Sequence, residues 1–340
     1  MKRIFSKKTF SSLEKRSEND EIFNESFDAL NNNIYDNNNS GFVYKKKKIA
    51  TGFWNDFNIN VGGGYLKEIE EAYSTASIYQ NYKFSKQFSD KFKLGLTTRV
   101  EYAKRNEIEK PSVKRWYDNS ILKGEYTFNP FNIVSVFAGR SISDTTFTSY
   151  GASYIAGIET GDIEIKNKLI LSYDYFYYWT QVSQNFIDES IEIKYKDFKF
   201  SSGYFLGVVD YNFIENYEAT ARNPNSTISF EAQYTIFSKP VVNAGFNFVY
   251  KDYKYRSPLY YSPSKRSVSG IFTNFFNEFG NIFLYLGGGI RIDNENVFIW
   301  DVDSEAGYDK NGFSVSVGMS RYNDPFYSSY NTFLNLSKSF

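Results

Sequence analysis

Charged side chains recur at every second position of extended segments in this chain, and they are its most reactive groups. In residues 91–102, Lys93, Arg99 and Glu101 fall on one side, while Leu94 and Leu96 fall on the other, because successive side chains of a strand point to opposite faces. A helix would scatter these charges around its axis. Charges gathered on one face of a strand can order water and select solutes by charge, which is electrostatic rather than covalent chemistry.

The composition removes most forms of covalent catalysis. The chain contains no histidine and no cysteine, which excludes Ser–His and Cys–His nucleophile pairs, most zinc sites and the usual general base near neutral pH. Four acidic residues offer oxygen ligands of the kind that calcium binds, although an acidic rim or loop accounts for them better. They are Asp293, Glu295, Asp301 and Asp303. The sequence therefore predicts a protein that is not an enzyme and that uses no cofactor and no metal ion.

The elements that must position these charges are strands. From Thr51 onward, turn residues such as Gly161-Asp162 and Gly280-Asn281 separate sixteen extended segments, a density typical of an all-β barrel. The predicted strands are residues 52–66, 70–83, 91–104, 115–128, 132–142, 147–158, 163–178, 186–196, 198–212, 226–237, 241–255, 265–277, 281–293, 296–306, 311–322 and 327–340. The same alternation recurs in most of them, and Asn167 and Ile170 are exceptions to it within residues 163–179.

Composition and patterning together indicate a barrel that crosses a membrane. Aromatic residues make up 20% of the 340 residues, yet the mean hydropathy is −0.48, and no uncharged apolar run approaches the roughly 18 residues that a spanning helix needs. A strand needs only about 9–11 residues to cross. A water-soluble sandwich would also alternate, but aromatics near strand ends and an even strand number favour a closed antiparallel transmembrane β-barrel of about 16 strands, covering residues 49–340.

Such a barrel would carry its charged face inward, toward a water-filled bore. The residues that we predict to line the bore and meet the permeating solute are Lys93, Arg99, Glu101, Lys166, Lys168, Asp174, Glu192, Lys194, Lys251, Arg291 and Asp293. Phe283 and Tyr285 are candidates for stacking on sugar rings. With 39 basic and 39 acidic residues the formal net charge is zero, so no overall field favours a nucleic-acid partner.

The final predicted strand resembles the C-terminal signature of bacterial outer-membrane β-barrels. Tyr330, Leu334, Leu336 and Phe340 fall on one face, as in the signal that the barrel-assembly machinery reads in that family. Lys338 departs from the pattern, which usually has an aliphatic or aromatic residue at that place. The resemblance implies residence in the outer membrane of a Gram-negative bacterium, in contact with outer-membrane lipid and lipopolysaccharide, with this strand ending on the periplasmic side.

A shorter motif resembles a narrower family. The stretch Pro258-Leu-Tyr-Tyr-Ser-Pro-Ser-Lys265 is similar to the Tyr-Tyr-Ser-Pro segment of barrels fused to tetratricopeptide repeats, which export cellulose or poly-N-acetylglucosamine. In that family a periplasmic helical-repeat domain precedes a sixteen-stranded barrel. The resemblance implies a polysaccharide chain, a periplasmic repeat domain and an inner-membrane synthase as partners.

Residues 1–48 differ from the rest of the chain. Residues 12–30 have apolar positions near helical spacing, and Asn31-Asn32-Asn33 and Asn37-Asn38-Asn39 are typical of a linker. Residues 9–20 contain no apolar core of a signal peptide, although Lys2 and Arg3 are basic as in such peptides. A mature or truncated fragment, a wrongly placed start or a protein that is not exported would each explain this, and we expect a fragment. The resemblance to the repeat-fused barrels implies that residues 12–30 are the remnant of the last repeat.

Three functions are compatible with this pattern. The first is an outer-membrane transport channel that exports a polysaccharide. The second is a general diffusion porin for small solutes, and the third is a non-conducting barrel that anchors binding loops at the surface. Upstream helical repeats of roughly 34 residues would favour the first, single-channel conductance of the isolated barrel the second, and a plugged barrel the third.

Overall fold

The computed structural model describes residues 57–70, 73–107, 112–129, 131–144, 146–177, 182–211, 222–255, 264–323 and 327–340. Within these ranges the chain forms sixteen antiparallel strands in one closed barrel. They are β1 (Phe57–Glu70), β2 (Tyr73–Gln87), β3 (Phe92–Glu107), β4 (Val113–Asn129), β5 (Asn132–Ile142), β6 (Thr146–Thr160), β7 (Ile163–Tyr177), β8 (Val182–Tyr195), β9 (Phe198–Tyr211), β10 (Arg222–Ser238), β11 (Val241–Tyr253), β12 (Arg266–Phe279), β13 (Ile282–Asp293), β14 (Phe298–Lys310), β15 (Phe313–Asn323) and β16 (Tyr327–Ser339). No helix in the same ranges is long and apolar enough to cross a membrane.

Each strand pairs with its neighbours in sequence, and β1 closes the ring by pairing with β16. Sixteen strands spaced about 4.8 Å apart and tilted by about 40° enclose a backbone cylinder roughly 32 Å across. Closure leaves no exposed sheet edge, so every strand satisfies its backbone groups within the wall, as a hydrocarbon environment requires. The predicted fold class and strand number are confirmed.

The two ends of the barrel differ in their connections. At one end the strands are joined by tight turns, such as residues 161–162, 280–281 and 311–312, and we call this the short-turn end. Gly161, Gly280 and Gly312 have positive φ there, which glycine adopts without steric cost. The other end, which we call the loop end, carries longer connections, including residues 212–221 and 254–265.

Alternation along the strands separates an apolar exterior from a polar interior. In β3, the Leu96 side chain is 39% exposed on the outside, whereas Arg99 is 3% exposed on the inside. The same contrast holds in other strands, where large hydrophobic residues such as Ile158 and Ile271 are exposed on the exterior. A continuous apolar exterior of this extent is typical of contact with lipid rather than water.

Aromatic side chains form a belt near each end of the exterior. At the short-turn end, the rings of Phe198 and Tyr234 lie 4.7 Å apart. At the loop end, the rings of Tyr102 and Trp116 lie 4.9 Å apart. Two such belts are typical of the two interfaces of a bilayer, because aromatic rings are stable at headgroup depth.

The last strand has its predicted apolar face on the exterior. Tyr330, Leu334, Leu336 and Phe340 are all exposed there. The Phe340 backbone N–H donates to the Phe57 carbonyl at 3.0 Å, which ties the chain end to β1 at the short-turn end. This places the predicted assembly signal on the face that lipid contacts, and its reading by the assembly machinery stays a prediction.

Most predicted strand bounds agree with the structure to within a few residues, and β5 agrees at both ends. The first predicted strand, residues 52–66, ends four residues before β1 does, because Lys67 and Glu68 continue the alternation. The predicted strand 226–237 begins four residues after β10 does, because Asn223 and Asn225 already occupy buried inward positions of the strand. The predicted N-terminal helix and linker, and most of the Pro258–Lys265 motif, lie outside the described ranges.

Candidate functional site

The bore of the barrel collects the residues that the alternation predicted to share its inner face. Their inward position follows from the strand registers, in which Glu101 stands opposite Tyr79 on one side and Tyr117 on the other. Every member of the predicted set lies on the inward face of its strand: Lys93, Arg99, Glu101, Lys166, Lys168, Asp174, Glu192, Lys194, Lys251, Arg291 and Asp293. The role of these residues in permeation stays a prediction.

In the half of the bore near the loop end, inward polar side chains are buried. Arg99 and Glu101 are 3% and 1% exposed, and the Arg99 Nη2 atom lies 2.7 Å from Glu101 Oε2. The Arg99 guanidinium also lies 4.4 Å from the centre of the Tyr79 ring, a cation–π contact. The Tyr79 hydroxyl donates to Asn331 Oδ1 at 3.0 Å. This chain of contacts joins β3 across β2 and β1 to β16, so the charges here hold the wall together.

A second group in the same half fixes a loop-end turn. Asp293 is buried and pairs with Arg266, whose Nη2 lies 2.6 Å from Asp293 Oδ2. The other carboxylate oxygen of Asp293 accepts the backbone N–H groups of Glu295 and Val297 at 2.9 and 2.8 Å. Asp293 therefore shapes the β13–β14 turn. Inward apolar side chains pack close by, with Ile299 almost fully buried.

The half of the bore near the short-turn end is more open. Its charges form a cross-strand network of partly exposed side chains, in which Lys166 pairs with Glu164 at 2.7 Å. Lys194 lies 3.1 Å from Glu192 and 3.9 Å from Glu164. Lys199 extends the network to β9 through Glu192, at 2.9 Å. Because these groups stay in contact with solvent, their charges reach the open bore and are not held in one rigid geometry.

The sequence-based set omitted several charged residues that line this open half. Glu125 is shared by Lys123 at 2.7 Å and Lys93 at 3.5 Å. The same alternation that identified Lys93 places Lys123, Glu125 and Lys199 inward, so a complete application of the period-two rule would have included them. Their pairing, by contrast, depends on the register between strands, which periodicity does not contain.

One strand carries a column of acidic side chains into the bore. Its members, all at inward positions of β14, are Asp301, Asp303, Glu305 and Asp309. Arg291 of β13 forms an ion pair with Asp301. On the roughly opposite part of the ring, around β4 and β7, the inward lysines Lys123, Lys166 and Lys168 share their strands with Glu125, Glu164 and Asp174. The acidic excess of the bore therefore lies on the β14 side.

The acidic residues considered for calcium do not gather into one site. Asp301 and Asp303 are inward on β14, whereas Glu295 lies in the β13–β14 turn. The described part of the chain contains no group of three or more histidine, cysteine, aspartate or glutamate residues that could hold a metal ion.

Several inward aromatic rings lie directly against glycines of the wall. A Cβ atom on Gly64 would lie 2.6 Å from the Tyr79 hydroxyl, and one on Gly318 would lie 2.8 Å from Phe333 Cε1. Gly245 has the same relation to Phe272, and Gly307 to Phe283. Glycine is needed at these places because any side chain would collide with the ring. The rings therefore lie along the wall of the bore, against the glycines.

The barrel is similar to solved structures of bacterial outer-membrane proteins. No protein-family model matches the chain, and no curated protein matches it in sequence. One similar structure is described as a "Bacterial polysaccharide outer membrane secretin"; it is 10% identical, has a TM-score of 0.62 and aligns over 85% of this chain and 100% of that chain. Acinetobacter baumannii OccAB1 is also 10% identical, with a TM-score of 0.48 over 86% and 99% of the two chains. The CymD monoaromatic hydrocarbon channel is 9% identical, with a TM-score of 0.45 over 85% and 89%. The chain therefore has the fold of bacterial outer-membrane β-barrels.

Proposed function

We propose that this chain is a transport channel of the bacterial outer membrane. The observation that carries the proposal is a closed sixteen-stranded wall that is apolar outside and charged inside. Barrels of about 16–18 strands are wide enough to hold an aqueous passage. Outer-membrane barrels have short periplasmic turns and longer extracellular loops, so the short-turn end faces the periplasm and the loop end faces outward.

The substrate that we propose is a polysaccharide chain. Support comes from the structural similarity to a protein described as a polysaccharide outer-membrane secretin, all of which aligns with 85% of this chain. The inward rings of Phe272, Phe283 and Phe333 supply flat apolar surfaces along the wall, on which sugar rings can stack. The charged side chains between them bind the water and hydroxyl groups that accompany a moving sugar chain.

The two halves of the bore would then act in sequence. The open half admits the polymer from the periplasm, and its exposed lysines and carboxylates attract or repel charged substituents. The buried half, built around Arg99 and Glu101, has a fixed cross-section and would set the size of what leaves. A periplasmic repeat domain and an inner-membrane synthase would supply the polymer, and the barrel-assembly machinery would insert the barrel through the β16 signal.

A general diffusion porin is the second candidate, and the contrast between the acidic β14 and the mixed charges of β4 and β7 favours it. Such a transverse field orders water and admits small solutes according to their charge. The burial of inward side chains near the loop end favours the third candidate, a non-conducting barrel that serves as an anchor.

Electrical recording from the purified full chain in planar bilayers distinguishes the three. We expect a steady conductance that linear oligosaccharides of glucose or N-acetylglucosamine interrupt, with interruptions that lengthen as the oligomer grows. Replacing Phe272 and Phe333 by leucine should shorten these interruptions, whereas Phe279→Leu, on the exterior, should not. Conductance without interruptions would support the porin instead, and a barrel that never conducts would overturn the transport function.

A further inference from the structure

The exterior wall contains a groove in a region where lipid is the expected neighbour. It has a volume of about 830 Å³ and lies across β11, β12, β13 and β14. Its floor consists of small residues, Ala244, Thr273 and Gly288, which face each other in consecutive strand registers. One wall is formed by Ile271, Ile290 and Trp300, and the other by Phe275 and Leu286. The large side chains of these two walls rise above the small residues between them, so the groove is a recess in the outer surface.

The groove runs obliquely along the barrel. Its floor row continues from Gly288 to Val302 and then to Arg321. Arg321 lies two positions from the loop end of β15, whereas Ala244 lies near the short-turn start of β11. Following the row from β15 to β11 therefore leads away from the loop end and down toward the short-turn end, as the tilt of barrel strands requires. Four strand spacings of about 4.8 Å give the row a length of roughly 19 Å.

The upper end of the groove carries positive charge. The Arg321 guanidinium lies 5.2 Å from the centre of the Trp300 ring, which holds it at the rim. The same row continues through Tyr330 to Lys67, so a second outward cation stands two strands from Arg321. Both side chains are exposed, and among the described residues neither forms an ion pair with a carboxylate. Cations on a lipid-facing surface are costly unless an anion meets them.

We propose that this groove and the Arg321–Lys67 pair bind one phosphorylated glycolipid of the outer leaflet, of the lipid A class. A phosphate contacts Arg321 and Lys67, and one acyl chain lies along the floor of Ala244, Thr273 and Gly288. Arginine binds phosphate through paired charge-assisted hydrogen bonds, and an apolar groove whose floor row leads through Val302 to that arginine fits an amphiphile with an anionic head. This inference rests on the proposed outer-membrane placement with the loop end outward.

Native mass spectrometry of the detergent-purified full chain tests the site with three lipids: lipid A, dephosphorylated lipid A and phosphatidylglycerol. We expect the wild type to retain lipid A preferentially. The double variant Arg321→Gln/Lys67→Gln should weaken retention of lipid A about tenfold, the loss of one to two charge-assisted phosphate contacts. Ala244→Leu, which fills the floor but leaves both cations, should also weaken it. Arg140→Gln removes an exposed outward cation of β5 that borders no part of the groove, and it is the matched control.

The outcomes separate the site from the proposed function. Equal retention by the double variant and by Arg140→Gln would overturn the site, and equal retention of phosphatidylglycerol would overturn its assignment to lipid A. Heat-modifiable migration on gels checks that each variant is a folded barrel. None of these substitutions lies in the bore, so all variants should keep the wild-type conductance. A wild type that binds lipid A but never conducts would count against the transport function and leave the lipid site standing.

Discussion

The two halves of the bore use the same residue types for different purposes. Near the loop end, Arg99 and Glu101 are buried, paired at 2.7 Å and held by an aromatic ring. Near the short-turn end, Lys166, Glu164 and Lys199 remain partly exposed within a loose network. From this difference we expect an inward charge in a barrel to stabilise the wall where solvent is excluded and to steer solutes where it is not.

The largest effect should come from breaking the buried pair. Glu101→Gln removes the carboxylate that compensates the buried Arg99 guanidinium, and we expect the free energy of unfolding to fall by about 3 kcal/mol. Urea unfolding in lipid vesicles, followed by tryptophan fluorescence, measures the change. The matched variant is Glu164→Gln in the open half, which should lose at most about 1 kcal/mol. Equal losses in the two variants would remove the distinction between the halves.

Glycine substitutions test the packing of aromatic rings against the wall. In Gly318→Ala the new Cβ would lie 2.7 Å from the Ser304 carbonyl oxygen and 2.8 Å from Phe333 Cε1, so we expect a loss of about 2 kcal/mol in unfolding free energy. Gly95, near the short-turn end, offers the control, because its Cβ would meet nothing closer than 3.7 Å. If Gly95→Ala destabilised the barrel as much as Gly318→Ala, crowding would not explain the choice of glycine.

A carboxylate on the exterior extends the comparison from the bore to the outer wall. Glu189 lies at an outward position of β8 between the exposed Ile187 and Ile191, and its Oε1 accepts the Asn167 amide at 3.0 Å. Glu189→Leu should stabilise the barrel by about 1 kcal/mol, because a charged group on the lipid face is unfavourable. Urea unfolding in vesicles measures it. A clear destabilisation would instead show that Glu189 has a role beyond facing lipid.

The smallest effect concerns ion selectivity. Replacing Lys166 and Lys199 by glutamine should raise the cation-to-anion permeability ratio about twofold at low salt, since both remove positive charge from the open half. Reversal potentials across a salt gradient measure this ratio. Glu164→Gln with Glu192→Gln should shift it the opposite way. Both shifts should shrink at 1 M salt, where charges are screened within about 3 Å. Shifts that persist at high salt would contradict simple steering.

Much of the wall could be predicted from residue order alone. Period-two alternation identified the closed antiparallel barrel and placed Lys93, Arg99 and Glu101 on one face, and it recognised Asn167 and Ile170 as reversals, which the structure places outward and inward respectively. Alternation is a local property, so the sequence contains it directly.

The partnerships within the bore could not be predicted in this way. Lys199 meets Glu192 across β8 and β9, and Tyr79 meets Asn331 across the closure of the barrel, a separation of 252 residues. These contacts depend on strand registers and on the closure itself. The burial of Arg99 and the partial exposure of Lys166 likewise depend on which side chains the neighbouring strands bring against them.

The backbone hydrogen bonds between β1 and β16 close the wall into a ring that cannot stretch. Sixteen strands joined by backbone hydrogen bonds have a fixed circumference. Widening the barrel would require breaking all the backbone hydrogen bonds between two neighbouring strands at once. The backbone diameter of the barrel therefore cannot increase to fit a larger molecule. Any change in the width of the bore must come from rotation of the inward aromatic and charged side chains, while the backbone stays in place.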